Sequence, residues 1–212
     1  MDEIDTWLER VYAAGGDRDT LDALYDTWSE QYDQHIWTSA NPYIAIAAGF
    51  VGRHISDWNA EILDAGCGTG NMAQVLHQIG YTTIDGLDAS PGMLEIAERK
   101  SVYRSLHHLV LAGHIDLADE SFDAVVAAGV FTQGHAPPES LDGLSKLIRS
   151  GGPIIFSLST VALEEQGFGD ALADLVRQGE WELLDASPQY QSFPFSETES
   201  HLRHQVHTYR KL

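Results

Sequence analysis

The spacing of apolar residues changes period along this chain, and the changes mark out its elements. From residue 1 to about 58 apolar positions recur at helical intervals: Trp7, Leu8, Val11 and Tyr12 on one segment, then Leu21, Leu24, Tyr25, Trp28 and Tyr32 on the next. Gly15-Gly16 separates these two amphipathic segments, and a third helix is expected from Tyr43 to Ile55, beyond Asn41-Pro42. The middle of the chain alternates short apolar runs with helical patterns: strand 61–65, helix 70–79, strand 82–87, helix 91–100, strands 106–111 and 122–127, helix 138–149 and strand 153–158. That alternation predicts a parallel sheet with crossover helices on both faces. A further helix is expected from Asp170, and Trp181–Asp185 and His204–Arg210 read as the last strands. No repeat, low-complexity tract or linker interrupts the 212 residues, which suit one domain with a sizeable core.

One junction in that pattern carries chemistry. In Ile62-Leu63-Asp64-Ala65-Gly66-Cys67-Gly68-Thr69-Gly70 an apolar strand ends in an acidic residue and three glycines at two-residue spacing. Glycines at 66, 68 and 70 permit a sharp turn that brings the backbone against a ligand, and the helix that follows presents unpaired N–H groups. A dinucleotide-binding turn, G-x-G-x-x-G, would place its last glycine where this chain has Asn71. Asp64 suits an ammonium group and would repel a pyrophosphate. A second short strand, Thr83 to Asp88, also closes in an acidic residue, 20 positions after Gly68. A carboxylate there can accept both protons of a ribose diol; the plainer reading is a strand-end residue. Ser90-Pro91 reads as the cap and first position of the helix running through Met93 to about Lys100.

These residues resemble motif I of the class I S-adenosylmethionine-dependent methyltransferases, whose ligand carries an amino acid end and a sulfonium but no phosphate. The run Tyr25-Asp26-Thr27-Trp28-Ser29-Glu30-Gln31-Tyr32-Asp33 resembles the N-terminal helix of small methyltransferases akin to the Williams–Beuren-region methyltransferase-like group. The segments from Ala127 to His135 and from Gly179 to Glu182 are similar to the same group. The resemblance covers the chain from about Tyr25 to Arg210 and implies a Rossmann-like α/β sandwich. Its parts would be a helical lid at 1–58, a cofactor-binding core at 59–160 and a C-terminal helix and strands at 161–212, with a mostly parallel seven-stranded sheet ending in an antiparallel strand. It implies S-adenosylmethionine as cofactor, held by Tyr25, Trp28, Tyr32, Asp64, Gly66, Cys67, Gly68, Gly70, Asp88, Ala89, Met93, Gly113, His114, Ile115 and Gly129. Tyr25, Trp28 and Tyr32 share a helix face at i, i+3 and i+7, which suits either core packing or an aromatic lid, since ring faces stabilise a desolvated sulfonium. The family has Pro-Gly-Gly at the turn before the fifth strand; here Ser150 precedes Gly151-Gly152.

His135 lies just past the fourth strand, at the carboxyl edge of the sheet where the transferred methyl would emerge. It is placed to take a proton from a hydroxyl or thiol; a loop hydrogen bond or solvent exposure are the alternatives. Alignment of nucleophile, methyl and sulfur does most of the work in such a transfer. Many relatives put an acidic residue directly after the third strand to receive the adenine amino group. This chain has Ala112-Gly113-His114 there, which leaves Asp116 or a backbone carbonyl for the task. Cys67, inside the glycine turn, reads as a packing residue. His201, His204 and His207 alternate in direction on a strand, only His201 and His207 sharing a side, so no metal site is expected.

Composition narrows the partners. The formal net charge is −20, from 32 acidic and 12 basic side chains, and Lys100, Lys146 and Lys211 are scattered. No basic run exists to supply the phosphate contacts that dominate nucleic-acid affinity, and the Asn/Asp-Pro-Pro-Tyr/Phe sequence of amino-directed nucleic-acid methyltransferases is absent. The longest apolar stretch, Tyr43 to Val51, falls short of the roughly 20 residues of a membrane span. The acidic start Met1-Asp2-Glu3 lacks the basic end of a signal peptide, and a single cysteine excludes an internal disulfide. A cytoplasmic enzyme without nucleic-acid or membrane partners is expected, moving a methyl group to a small-molecule acceptor; nothing speaks to its oligomeric state. The alternatives are an NAD(P)-dependent oxidoreductase, which Asn71 disfavours, and a non-catalytic S-adenosylmethionine-binding protein.

Overall fold

The computed structural model describes residues 3–212, so the Met1-Asp2 part of the acidic start lies outside the described residues. Three helices lead, α1 (Glu3–Ala13), α2 (Arg18–Thr38) and α3 (Tyr43–His54). The alternating core follows: β1 (Ile62–Ala65), α4 (Asn71–Ile79), β2 (Ile84–Asp88), α5 (Pro91–Lys100), β3 (Ser105–His108), β4 (Ala124–Phe131), α6 (Ser140–Leu147) and β5 (Pro153–Ser159). The chain closes with α7 (Thr160–Glu165), α8 (Phe168–Arg177), β6 (Trp181–Ala186), β7 (Tyr190–Gln191) and β8 (Arg203–Lys211).

All strands join one sheet in the order β3-β2-β1-β4-β5-β8-β6, with β7 paired to β8. β1 to β5 run parallel, and β8 is antiparallel to both β5 and β6. The sheet therefore has eight strands where seven were expected, the extra one being the two-residue β7. Its central strands are apolar on both faces because helices cover both. Successive residues go to opposite cores: Ile62, Val126 and Ile155 pack beneath the N-terminal helices, whereas Leu63, Val125 and Ile154 pack beneath α6 and α8. Strand order reverses at β1 and β4, whose carboxyl ends consequently splay and leave a crevice.

Two departures from the expected boundaries, in β4 and β3, bear on that crevice. β4 runs to Phe131, past the expected end at 127, with a register shift against β5 between Ala127 and Phe131. Gly129 sits in this irregularity at φ +78°, where a Cβ would lie 3.2 Å from the Tyr43 ring. β3 stops at His108 instead of 111, because its last pairing is with Asp88, the end of β2. α7 was not anticipated; the Ser159 side chain caps it by accepting the Ala162 N–H at 3.0 Å. His201 precedes β8 and so shares no strand face with His207, and among the described residues no three His, Cys, Asp or Glu side chains converge as a metal site would require.

Candidate functional site

The glycine turn is shaped by its neighbours on β2 and β4. The N–H groups of Gly66 and Cys67 both donate to the Leu87 carbonyl, at 2.8 and 2.9 Å, which folds the turn back onto the end of β2. Gly66 has φ +73°, and a Cβ there would meet Val130 Cγ2 at 2.5 Å, so β4 presses on the turn as closely as glycine allows. At Gly68 nothing lies within 4 Å of a Cβ position: this is the stretch of backbone open to a ligand.

Two carboxylates flank the turn. Asp88 accepts the Gly68 N–H through Oδ2 at 2.8 Å and the Ser90 N–H through Oδ1 at 2.9 Å. It thereby ties the turn to the start of α5, whose first turn is capped by Ser90 accepting the Met93 N–H at 3.1 Å. Burial raises the Asp88 carboxyl above its ordinary range despite these donors. Asp64 is 1% exposed. Burial pushes its carboxyl up to about 7, opposed by the Tyr103 hydroxyl that donates to Oδ2 at 2.7 Å. The groups acting on it are Tyr103, Asp88 and the backbone of Ala73, none of them a cation. An ionised carboxylate without a positive partner is costly to bury, so the site favours a cationic ligand.

α2 forms the opposite wall, held there by a repeated pairing of residues. Tyr25 and Tyr32 face the crevice, and the aspartate that follows each anchors the helix. Asp26 Oδ1 accepts from the Ser90 hydroxyl at 2.6 Å and the Gly92 N–H at 2.8 Å. Asp33 Oδ1 accepts from the Thr69 hydroxyl at 2.5 Å and the Asn71 amide at 2.8 Å, while its Oδ2 lies 2.7 Å from Lys100 Nζ. Asn71 also accepts from Lys100 at 2.7 Å. The asparagine that breaks the dinucleotide fingerprint thus joins the glycine turn, α5 and α2. Asp26 and Asp33 both stand in the run that carries the family resemblance, at a seven-residue repeat beside the tyrosines, but their anchoring role shows only in the fold.

His135 completes the rim. Its Nδ1 lies 2.9 Å from the Gln133 carbonyl, which fixes the proton on Nδ1 and makes Nε2 the acceptor. The Tyr25 hydroxyl lies 2.6 Å from Nε2 and donates to it. Burial lowers the imidazole and raises the phenol, so both are neutral near pH 7. Cys67 is buried, and desolvation raises its thiol well above the usual value, as fits a packing residue.

The resulting cavity holds about 910 Å³ counting its open mouth. Tyr25, Tyr32, Asp64, Gly66, Cys67 and Gly68 line it, and so do Asp88, Ala89, Met93, Gly129 and His135. Five expected contacts lie elsewhere. Trp28 points into the core, stacked on Trp7 with ring centroids 5.2 Å apart. Gly70 caps α4 and faces the Tyr103 ring instead of the cavity. Because β3 ends early, Leu109 and Leu111 reach the cavity. Gly113 comes to rest beside Glu139, His114 is exposed and Ile115 is buried in the core beneath α6. Arg18, Asp22 and Tyr43, which the sequence reading passed over, also line the cavity.

A second, smaller chamber lies behind the first, about 570 Å³ counting its open side. Tyr25, Tyr32, Tyr43, Gly129 and His135 line both and form the partition. α1 contributes Leu8 and Tyr12 to it, α2 contributes Trp28 and Ile36, and the C-terminal part contributes Ser192, Phe193 and His204.

This architecture matches the TehB-like S-adenosylmethionine-dependent methyltransferase from Corynebacterium glutamicum, with TM-score 0.63 at 20% identity, over 90% of this chain and 99% of that one. Residues 63–156 match the methyltransferase domain family. Over 187 residues the chain is 32% identical to methyltransferase-like protein 27 from Homo sapiens, a match covering 84% of this chain and 76% of that protein. The chain belongs to the class I S-adenosylmethionine-dependent methyltransferases. Other methyltransferases match in part: the malonyl-[acyl-carrier protein] O-methyltransferase of Serratia marcescens is 33% identical over 110 residues, half of this chain and 42% of that enzyme. The family's cofactor, S-adenosylmethionine, suits the site on the structure's own terms: a buried carboxylate lacking a cation, open backbone at Gly68 and aromatic rings on the facing wall.

Proposed function

We propose that this methyltransferase acts on a small-molecule acceptor, with the larger cavity holding the cofactor. The observation that carries the reading is the pair of buried carboxylates, Asp64 and Asp88, on either side of the open glycine backbone. Asp88 has lone pairs beyond the two N–H groups it already accepts and takes the ribose hydroxyls. Asp64 faces the amino group, and Tyr25 and Tyr32 set their rings toward the sulfonium, α2 acting as the lid. When bound, the cofactor supplies an electrophilic methyl group and a neutral thioether leaving group. The protein's own task is to align the acceptor and to receive its proton. The acceptor's proton passes to the Tyr25 oxygen as the Tyr25 proton moves to His135 Nε2, while Nδ1–H stays on the Gln133 carbonyl. A net charge of −20 argues against nucleic acid as substrate, and no helix among the described residues is long and apolar enough to cross a membrane.

Calorimetry tests the cofactor assignment and its pH dependence together. S-adenosylhomocysteine is expected to bind saturably and NAD not at all; the reverse result overturns the reading. Because the folded Asp64 carboxyl titrates near 7 and a cation prefers its ionised form, affinity should fall as pH drops from about 8 to about 5, and Asp64→Asn should flatten the profile. The same raised pKa means that proton binding by Asp64 stabilises the unliganded fold at low pH, a contribution lost as pH rises from 3.8 to about 7. For the acceptor side, His135→Ala should keep cofactor affinity while lowering turnover in a screen of hydroxyl, thiol and amine acceptors. Unchanged turnover would leave alignment as the whole mechanism.

A further inference from the structure

The second chamber has properties that select its occupant. Among the described residues no Asp, Glu, Lys or Arg lines it. Its titratable groups are neutral near pH 7: burial lowers His204 to about 4 and depresses His135, and it raises the tyrosines. Several of its polar side chains are already engaged with the protein. The Ser192 hydroxyl pairs with His204 Nδ1, Ser157 Oγ accepts the Gly129 N–H at 2.7 Å, and Asn41 Oδ1 accepts the Tyr43 N–H at 3.1 Å. The remaining surface is apolar and largely aromatic, with Leu8, Tyr12, Trp28, Ile36 and Phe193. The partition from the cofactor cavity carries the Tyr25–His135 pair.

An ion entering such a chamber loses its hydration and meets no opposite charge, a cost of several kcal/mol. A molecule with many polar groups would find the Ser192, Ser157 and Asn41 oxygens already engaged and few other partners on a mostly apolar wall. A flat apolar body, by contrast, gains from burial against the rings. We propose that this chamber is the acceptor site, and that it takes an uncharged, mostly aromatic or apolar molecule bearing one nucleophilic hydroxyl or thiol, directed at Tyr25 and His135. The proposal rests on the assignment of the larger cavity to the cofactor and adds the substrate class.

The test follows tryptophan fluorescence, which the chamber's Trp28 makes sensitive to occupancy, while the wild-type chain saturated with S-adenosylhomocysteine is titrated with 2-naphthol or with 2-naphthoate. Saturable 2-naphthol binding is expected, with at least tenfold weaker binding of the charged isostere. Equal or tighter 2-naphthoate binding overturns the proposal. Leu8→Trp, which fills the chamber from the α1 side, should abolish 2-naphthol binding and leave S-adenosylhomocysteine affinity intact; 2-naphthol bound as in the wild type overturns it. The two-ligand comparison needs no variant, so a variant that fails to fold does not remove the test. If S-adenosylhomocysteine fails to bind the wild type, the cofactor assignment falls, whereas the naphthol-to-naphthoate ratio still decides what the chamber accepts.

Discussion

Replacing Trp28 with alanine is expected to lower the unfolding free energy by about 3–5 kcal/mol, the usual cost of deleting a buried tryptophan. Trp28 is 1% exposed. Its ring lies parallel to Trp7 at 5.2 Å and edge-on to Tyr32 at 4.8 Å, and its Nε1 donates to His35 Nδ1 at 2.8 Å. The variant removes the Trp7–Trp28 stack between α1 and α2 and opens space beside the two tyrosines of the cavity wall. Cofactor affinity should therefore fall together with stability, as a consequence of a loosened wall and not of a lost contact. Urea unfolding checks the first effect through its midpoint. A variant that unfolds at the wild-type midpoint would restore Trp28 to a purely ligand-facing role. Trp28→Phe, which keeps a ring and loses the N–H, should cost far less, about 1 kcal/mol for the hydrogen bond plus the smaller ring.

Asp88→Ala is expected to weaken S-adenosylhomocysteine binding by about 1–3 kcal/mol, roughly 5- to 150-fold. Two losses combine. The ribose hydroxyls lose their acceptor, and the N–H groups of Gly68 and Ser90 lose the carboxylate that holds the open turn against the start of α5. Asp88→Asn separates them, because an amide oxygen still accepts one backbone N–H but offers its NH₂ group to the second partner. It should bind with intermediate affinity. Unchanged affinity in a folded alanine variant would show that another residue holds the ribose.

Where each of these residues points was only partly legible in advance. Asp64, Gly66, Gly68, Asp88 and the Ser90-Pro91 cap were readable because their constraints are local: a strand's alternation, a positive φ, a hydroxyl three residues from the N–H it caps. The strand–helix alternation likewise announced the parallel sheet, since each helix must return the chain to the same edge. Trp28 was a different matter. At about 100° per residue, Tyr25, Trp28 and Tyr32 occupy one strip of α2, with Trp28 about 60° to the side of Tyr25. Whether that offset turns a ring to a ligand or into the core depends on what packs against it, and Trp7 of α1 decides the matter. The stretch after β3 departs from expectation for a related reason. The run Leu106–Leu111, apolar apart from His107 and His108, reads as strand throughout, but the chain leaves the sheet where its partner β2 ends, at Asp88 opposite His108. Leu109 and Leu111 thereby line the cavity, whereas Gly113, His114 and Ile115 do not. The sheet, the turn and its two carboxylates follow from local sequence, because propensity, backbone conformation and capping act over a few residues. Tertiary structure alone decided the uncharged second chamber and the anchoring of α2 by Asp26 and Asp33, because each requires side chains far apart in sequence to meet, and only packing of the whole chain sets those distances.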